Sequence, residues 1–198
     1  MHGLVNRAIE GFVRGCYGPQ MWHDIAREAG LGFDEFEAML HYDDALTDRV
    51  LERLADRLDQ PVPMILENLG HYLVADPKAG AVRRLLRFGG AGFVDFLHSL
   101  DDLPDRARLA VDDLELPELV LHTAPRGRFS LICRGAHPGY PHVMIGILRA
   151  MADDYGSLAT IEDAGPVPGG RRISVALVET AFAEARAFDL GGAERSGP

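Results

Sequence analysis

The stretch FGGAGFVDFLHSLDDLPDR, residues 88–106, decides how this chain is read. Phe93, Phe96, Leu97, Leu100 and Leu103 recur three and four residues apart, so residues 91–103 read as an amphipathic helix with one apolar stripe. Gly89-Gly90 separates it from a short helix over 80–88. Pro104 stops it, because proline has no N–H and disfavours straight continuation. Pro104 also suits the first turn of a new helical segment, with Asp101 or Asp102 as its cap.

Upstream, everything reads as helix. Leu4, Ala8, Ile9 and Phe12 share one face, and Pro19 opens a helix through Trp22, Ile25 and Ala29 that Gly30 ends. Thr47–Leu58 follows, with Val50, Leu51, Leu54 and Leu58 inward. Pro63 starts another, with Ile65, Leu66, Leu69 and Leu73 inward. Downstream the period changes. ELVLHTA (118–124) and RFSLICR (128–134) read as strands joined by Pro125-Arg126-Gly127. HVMIGILRAMADDYG (142–156) is a long helix, and SLATIEDA (157–164) and RRISVALVE (171–179) are two more strands. Helices followed by strand–strand–helix–strand–strand predict an α+β fold, with a helical N-terminal lobe packed on a C-terminal lobe. The second lobe carries an antiparallel, roughly four-stranded sheet and the long helix. The expected organisation is a single domain over 1–185, with the helical lobe at 1–62, the sheet-bearing lobe at 63–185 and a flexible tail at 186–198.

Composition narrows the function classes. The net charge of −10 argues against nucleic acid or an anionic membrane as partner, since both need a basic surface. No apolar run approaches the roughly 20 residues of a membrane span, and the opening MHGLVNRAIEGF reads as the first helix. Two cysteines, Cys16 and Cys133, are too few for a disulfide framework and suit a cytoplasmic protein.

Several strings taken together resemble the haem nitric-oxide/oxygen binding family (H-NOX or HNOB), the sensor domain of bacterial gas sensors and of soluble guanylate cyclase. They are MHGLVNRAIEGFV followed by YGPQMWHDIAREAGL, YDDALTDRV (42–50), FGGAGFVDFLHSLDDL (88–103), LPELVLH and VMIGILRAMADDYG. The resemblance implies two lobes clamping a b-type haem, whose iron is held by the histidine of an L-D-x-L-H pattern. It further implies a Y-x-S-x-R motif for the propionates, a proline that distorts the porphyrin, and nitric oxide sensing passed to a histidine kinase or a cyclase such as a diguanylate cyclase.

Carried over by residue, Leu100-Asp101-Asp102-Leu103 matches the pattern, and Pro104 stands where it calls for histidine. Proline has no lone pair for iron. The propionate motif falls on Cys133, Gly135 and His137 in one alignment and on Ser130, Ile132 and Arg134 in another; neither keeps Tyr and Ser, and only the second keeps the arginine. Pro117 sits where the porphyrin-distorting proline belongs, and Val5 at an apolar distal position. The haem-pocket positions are thus Val5, Phe93, Leu97, Leu100, Pro104, Pro117, Arg134 and His137. The expectation is a degenerate haem site in a domain that signals through a protein partner. The alternative is haem, another tetrapyrrole or a small apolar ligand held through a non-family ligand, as a gas or redox sensor.

Other residues offer little chemistry. His98 precedes Pro104 by about 600° of helix and about 9 Å of rise, so it reads as a surface or edge histidine. His71 reads as a satisfied, partly buried histidine. Cys133, His137 and His142 lack the spacing of a closed zinc site, and Cys133 with His137 is the sole hint of a thiol–imidazole pair. No metal is expected, with His98 and Cys133 as the alternatives. The paired acids read as helix caps or solvated faces, and nothing marks the chain as an enzyme.

Overall fold

The computed structural model describes residues 1–135 and 137–178. The tail expected at 186–198, and the stretch 179–185 before it, lie outside the described residues. Helices α1 (Gly3–Tyr17), α2 (Pro19–Glu28), α3 (Asp44–Leu58) and α4 (Val62–Ala75) come first, then a 3-10 turn (Pro77–Ala79) and the short helices α5 (Gly80–Arg87), α6 (Phe93–His98) and α7 (Leu103–Arg108). Strands β1 (Glu118–Ala124) and β2 (Arg128–Arg134), helix α8 (Tyr140–Asp154) and strands β3 (Ala159–Val167) and β4 (Gly170–Leu177) complete the described chain. The four-stranded sheet has the order β1-β2-β4-β3, and every neighbouring pair is antiparallel. This is the α+β arrangement expected from the change of period.

Local signals account for the element ends. The His2 ring accepts a hydrogen bond from Leu4 N at 3.1 Å and caps α1, while Asp43 caps α3 by accepting from Ala45 N at 3.0 Å. The β1–β2 hairpin turns through Arg126 and Gly127, both at positive φ (63° and 64°), which glycine adopts without steric cost.

The apolar residues form two cores. One joins α1, α2, α3 and the first half of α4 around Trp22, Ile25, Leu54 and Ile65. The other lies between the sheet and α6, α7 and α8, and includes Phe93, Leu97, Leu100, Leu119, Leu131, Ile145, Leu148 and Ile173. Helix α4 serves both, with Leu66 and Leu69 in the first and Val74 in the second. Helices α4 and α8 cross backbone to backbone. A Cβ placed on Gly70 would sit 2.0 Å from Val143 O, and one on Gly146 would sit 1.9 Å from Glu67 O. Only glycine permits this approach.

One expectation needs correction. Residues 91–103 are not one helix: α6 ends at His98, and a turn at 99–102 precedes α7. The turn is fixed by side-chain bonds that periodicity does not reveal. Arg106 Nη2 donates to Ser99 O at 2.9 Å, and Asp101 Oδ1 accepts from Leu121 N at 2.8 Å on the sheet's edge strand. Pro104 does sit in the first turn of a new helix, where its missing N–H is one that no intrahelical carbonyl would have met. Neither Asp101 nor Asp102 caps that helix with its side chain.

Candidate ligand pocket at the lobe junction

The pocket positions from α6 through the turn and α7 to the residue before β1 are packed solid. Leu97 and Leu100 have no accessible surface, Phe93 has 2%, and Pro104 and Pro117 are buried. Phe93, Leu97 and Leu100 share one apolar cluster with Met144, Ile145 and Leu148 of α8 and Leu119 and Leu131 of the sheet. A slot shaped for a porphyrin would leave the carbons that line it reachable by a water-sized sphere. Side chains with no accessible surface line no such slot. As packed, these residues do not fit a haem against α6 and α7.

Space does remain on the other side of α8. A cavity of about 30 Å³ lies among Val5 and Ile9 of α1, Leu51 of α3, Leu66 and Leu69 of α4, and Tyr140 and Val143 of α8. That admits about one or two waters, against the roughly 300 Å³ or more of ordinary ligand pockets. An open groove of about 320 Å³ adjoins it and shares Leu51, Leu66, His137 and Gly139.

His137 lies at the mouth of this cavity, and its bonds are already committed. Its Nε2 is 2.8 Å from Asp48 Oδ1, and its Nδ1 accepts from Gly139 N at 3.1 Å. It thereby joins the loop before α8 to α3. His142 beside it is mostly buried, and its Nδ1 has no hydrogen-bond partner, facing Glu67 Oε1 at 4.0 Å. Burial, helped by Arg171, lowers its pKa, so it resists taking a proton.

Strand parity separates the two readings of the propionate motif. Phe129, Leu131 and Cys133 of β2 point into the core, so Ser130, Ile132 and Arg134 belong to the other face. Arg134 is exposed and pairs across the strands with Glu118 at 3.9 Å. It stands on the face of β2 turned away from the core. Cys133 is on the pocket side but buried in hydrocarbon, which pushes its thiol up to about 12. A thiol protonated at neutral pH is neither nucleophile nor ready metal ligand. With His137 tied to Asp48, no thiol–imidazole pair forms.

The remaining histidines are placed as follows. His98 is exposed and rests edge-on against Phe129, with centroids 5.9 Å apart. His71 is exposed, correcting the partly buried reading, because α4 presents Leu66, Leu69, Gly70 and Val74 inward and turns residue 71 outward. Sequence reasoning missed a cluster elsewhere. His2, His41 and Asp113 meet where the start of α1 touches the segment between α7 and β1. Tyr140 holds that segment too, donating to Glu115 O at 3.1 Å; burial and the nearby Asp44 and Glu115 carboxylates push its phenol up to about 12.

Among the described residues, no helix is long and apolar enough to cross a membrane. Comparison with known proteins places the fold. The chain is 23% identical over 154 residues to soluble guanylate cyclase gcy-31 of Caenorhabditis elegans, covering 78% of this chain and 22% of that protein. It is 20% identical over 183 residues to soluble guanylate cyclase 89Da of Drosophila melanogaster, covering 90% and 27%. It therefore spans about a quarter of the length of these curated relatives. Among solved structures, an H-NOX protein from S. oneidensis in the Fe(II)NO ligation state superposes with a TM-score of 0.76 at 14% identity, over 89% of this chain and 99% of that one. The Fe(II) unliganded H-NOX protein from K. algicida superposes with a TM-score of 0.74 at 16% identity, over 90% and 97%. The haem-NO-binding profile matches residues 2–163, and the chain belongs to the HNOB, or H-NOX, family.

Proposed function

We propose that this chain is an H-NOX signalling domain whose haem ligation has degenerated and which acts through a protein partner. The observation that carries the reading is Pro104, buried at the start of α7 where the L-D-x-L-H pattern calls for the iron ligand. The packing of Phe93, Leu97 and Leu100 supports it independently, since adding a ligand would not add space. The absence of a substitute histidine on that face adds further support: His98 is exposed, and His137 is engaged by Asp48. The output enzyme would be a histidine kinase or a cyclase, the second class being that of the curated relatives. Both cysteines are free, in keeping with a cytoplasmic setting.

Hemin titration followed by absorption spectroscopy tests the reading. The wild-type chain should give no saturable one-to-one complex. Pro104→His should not bind tightly either, because Leu97 and Leu100 still fill the space. A sharp five-coordinate ferrous histidine spectrum from the wild-type protein would falsify the reading. The same spectrum from Pro104→His alone would confine the loss to the ligand.

A second reading rests on the cavity behind Val5 and the groove that adjoins it. The junction then takes a tetrapyrrole edge or a small apolar ligand through a non-family contact, with haem-like sensing preserved. A thermal-shift series with indole and protoporphyrin separates the readings. Saturable stabilisation that is lost in Val5→Trp favours the second.

A further inference from the structure

We propose that His2, His41 and Asp113 form a binding site for a borderline divalent cation such as Zn²⁺, which clasps the start of α1 to the segment leading into β1. The three residues each offer one ligand atom, and these atoms all lie within 4.8 Å of one another. His2 Nε2 is 3.1 Å from Asp113 Oδ1, and His41 Nδ1 is 3.8 Å from Asp113 Oδ2. Zinc–ligand bonds of about 2.05 Å in tetrahedral array put neighbouring ligand atoms roughly 3.3 Å apart, a spacing the three ligand atoms, all within 4.8 Å of one another, reach by small side-chain adjustments. Two imidazoles and one carboxylate are the donor set of three-ligand zinc and ferrous sites.

The backbone holds the histidines in place. His2 and His41 face each other across an isolated antiparallel bridge, flanked by Gly3 N donating to Leu40 O at 2.7 Å and Tyr42 N donating to Met1 O at 2.9 Å. Such a pair, not itself hydrogen-bonded, brings side chains closer than its bonded counterpart. Gly3 permits the approach, since a Cβ there would lie 2.0 Å from Glu37 O. The two rings stand at 79° with centroids 4.9 Å apart, so their edges converge on the carboxylate without stacking. The His2 side chain is 2% exposed, while His41 and Asp113 are 56% and 46% exposed, which leaves the fourth coordination position to solvent.

Binding has one local cost. His2 Nδ1 accepts from Leu4 N, so the neutral ring carries its proton on Nε2. Ligation through Nε2 moves that proton to Nδ1, and Leu4 N–H loses its acceptor. Loss of such a cap weakens affinity by about fivefold. The bound ion offsets this by replacing two loosely held contacts to Asp113 with coordinate bonds.

Isothermal titration of the full chain with ZnCl₂, after removal of any affinity tag, tests the site. The expected result is one Zn²⁺ per chain with a dissociation constant of about 1 μM or tighter. Asp113→Asn and His41→Ala should each weaken it at least tenfold. Both side chains are half exposed, so both variants should fold, and circular dichroism in EDTA checks this. Co²⁺ should give visible d–d absorption bands that fade in either variant. Zinc binding weaker than about 100 μM, or binding of unchanged strength in both variants, would overturn the proposal. So would a loss of thermal stability in Asp113→Asn that is the same with EDTA as with zinc, which would reduce the cluster to a hydrogen-bonded clasp.

Discussion

Two neighbouring regions of this molecule have opposite chemistry. Beneath α6 and α7 the interior is hydrocarbon: Phe93, Leu97, Leu100, Leu119, Ile145 and Leu148 meet with almost no accessible surface. Along the junction of α1, α8 and the 109–117 segment, the contacts are polar: His2 and His41 to Asp113, His137 to Asp48, and Tyr140 to Glu115 O. In the H-NOX resemblance the iron ligand belongs to the first region. Here that region is built as an ordinary core, and the groups with lone pairs to offer gather in the second. The reading proposed above is that the pocket's chemistry is lost while the fold persists, since the helices that frame it bury apolar area well against each other.

The crossing of α4 and α8 divides the two regions, and disturbing it should have the largest effect. Gly146→Ala forces a Cβ to within 1.9 Å of Glu67 O, a backbone atom that no rotamer change can move. The helices must separate, at a cost of about 3 kcal/mol or more. For a chain of this size that lowers Tm by roughly 6–12 °C. A thermal melt within about 2 °C of wild type would mean that the crossing is loose and the separation of the regions is not structural.

Leu100→Ala probes the dry side directly. Its side chain has no accessible surface, so truncation removes contacts and leaves a cavity; the expected loss is about 3 kcal/mol in a denaturant titration. A loss below about 1 kcal/mol would indicate space already present beside α6, and would reopen the pocket. Tyr140→Phe probes the polar side. It removes one hydrogen bond to Glu115 O and should cost about 1 kcal/mol. With the phenol pushed up to about 12, that loss should be constant from neutral pH to mildly alkaline solution.

The contrast between the regions also marks what could be read from sequence. Helices and strands followed from periodicity, and each expected strand is present, because a one-sided sheet and amphipathic helices leave a strong pattern. Pro104 as a helix opener was legible from its position alone. The turn at 99–102 was not, since Arg106–Ser99 and Asp101–Leu121 are side-chain bonds that no periodicity records. The propionate motif stayed ambiguous because its two alignments differ by three residues, an odd shift that puts opposite faces of β2 toward the core. His2, His41 and Asp113 left no local signal at all. They come from three segments far apart in the chain, and only folding makes them neighbours.

The smallest effect concerns acid. Among the described residues the dry core holds no carboxylate, so acid sensitivity on that side must come from its rim. Asp154, at the end of α8, accepts hydrogen bonds from Arg83 and from Arg87 Nε (2.6 Å), and its backbone carbonyl accepts from Arg87 Nη2 (2.9 Å). Partial burial works to raise its pKa, but the two guanidinium groups outweigh it and hold the carboxyl below its ordinary value. A carboxylate depressed in the folded state contributes stability that is fully present above the unfolded pKa, near 3.9. That stability is lost as pH falls through the lower folded value. Both arginines are substantially exposed, so solvent screening holds the contribution to about 1 kcal/mol. Asp154→Asn should therefore melt slightly lower than wild type at neutral pH. The gap between the two should close as the pH is lowered through the range in which Asp154 takes its proton. A gap that widened in acid would place the sensitive carboxylates elsewhere and tie the stability of the dry core to the polar junction instead.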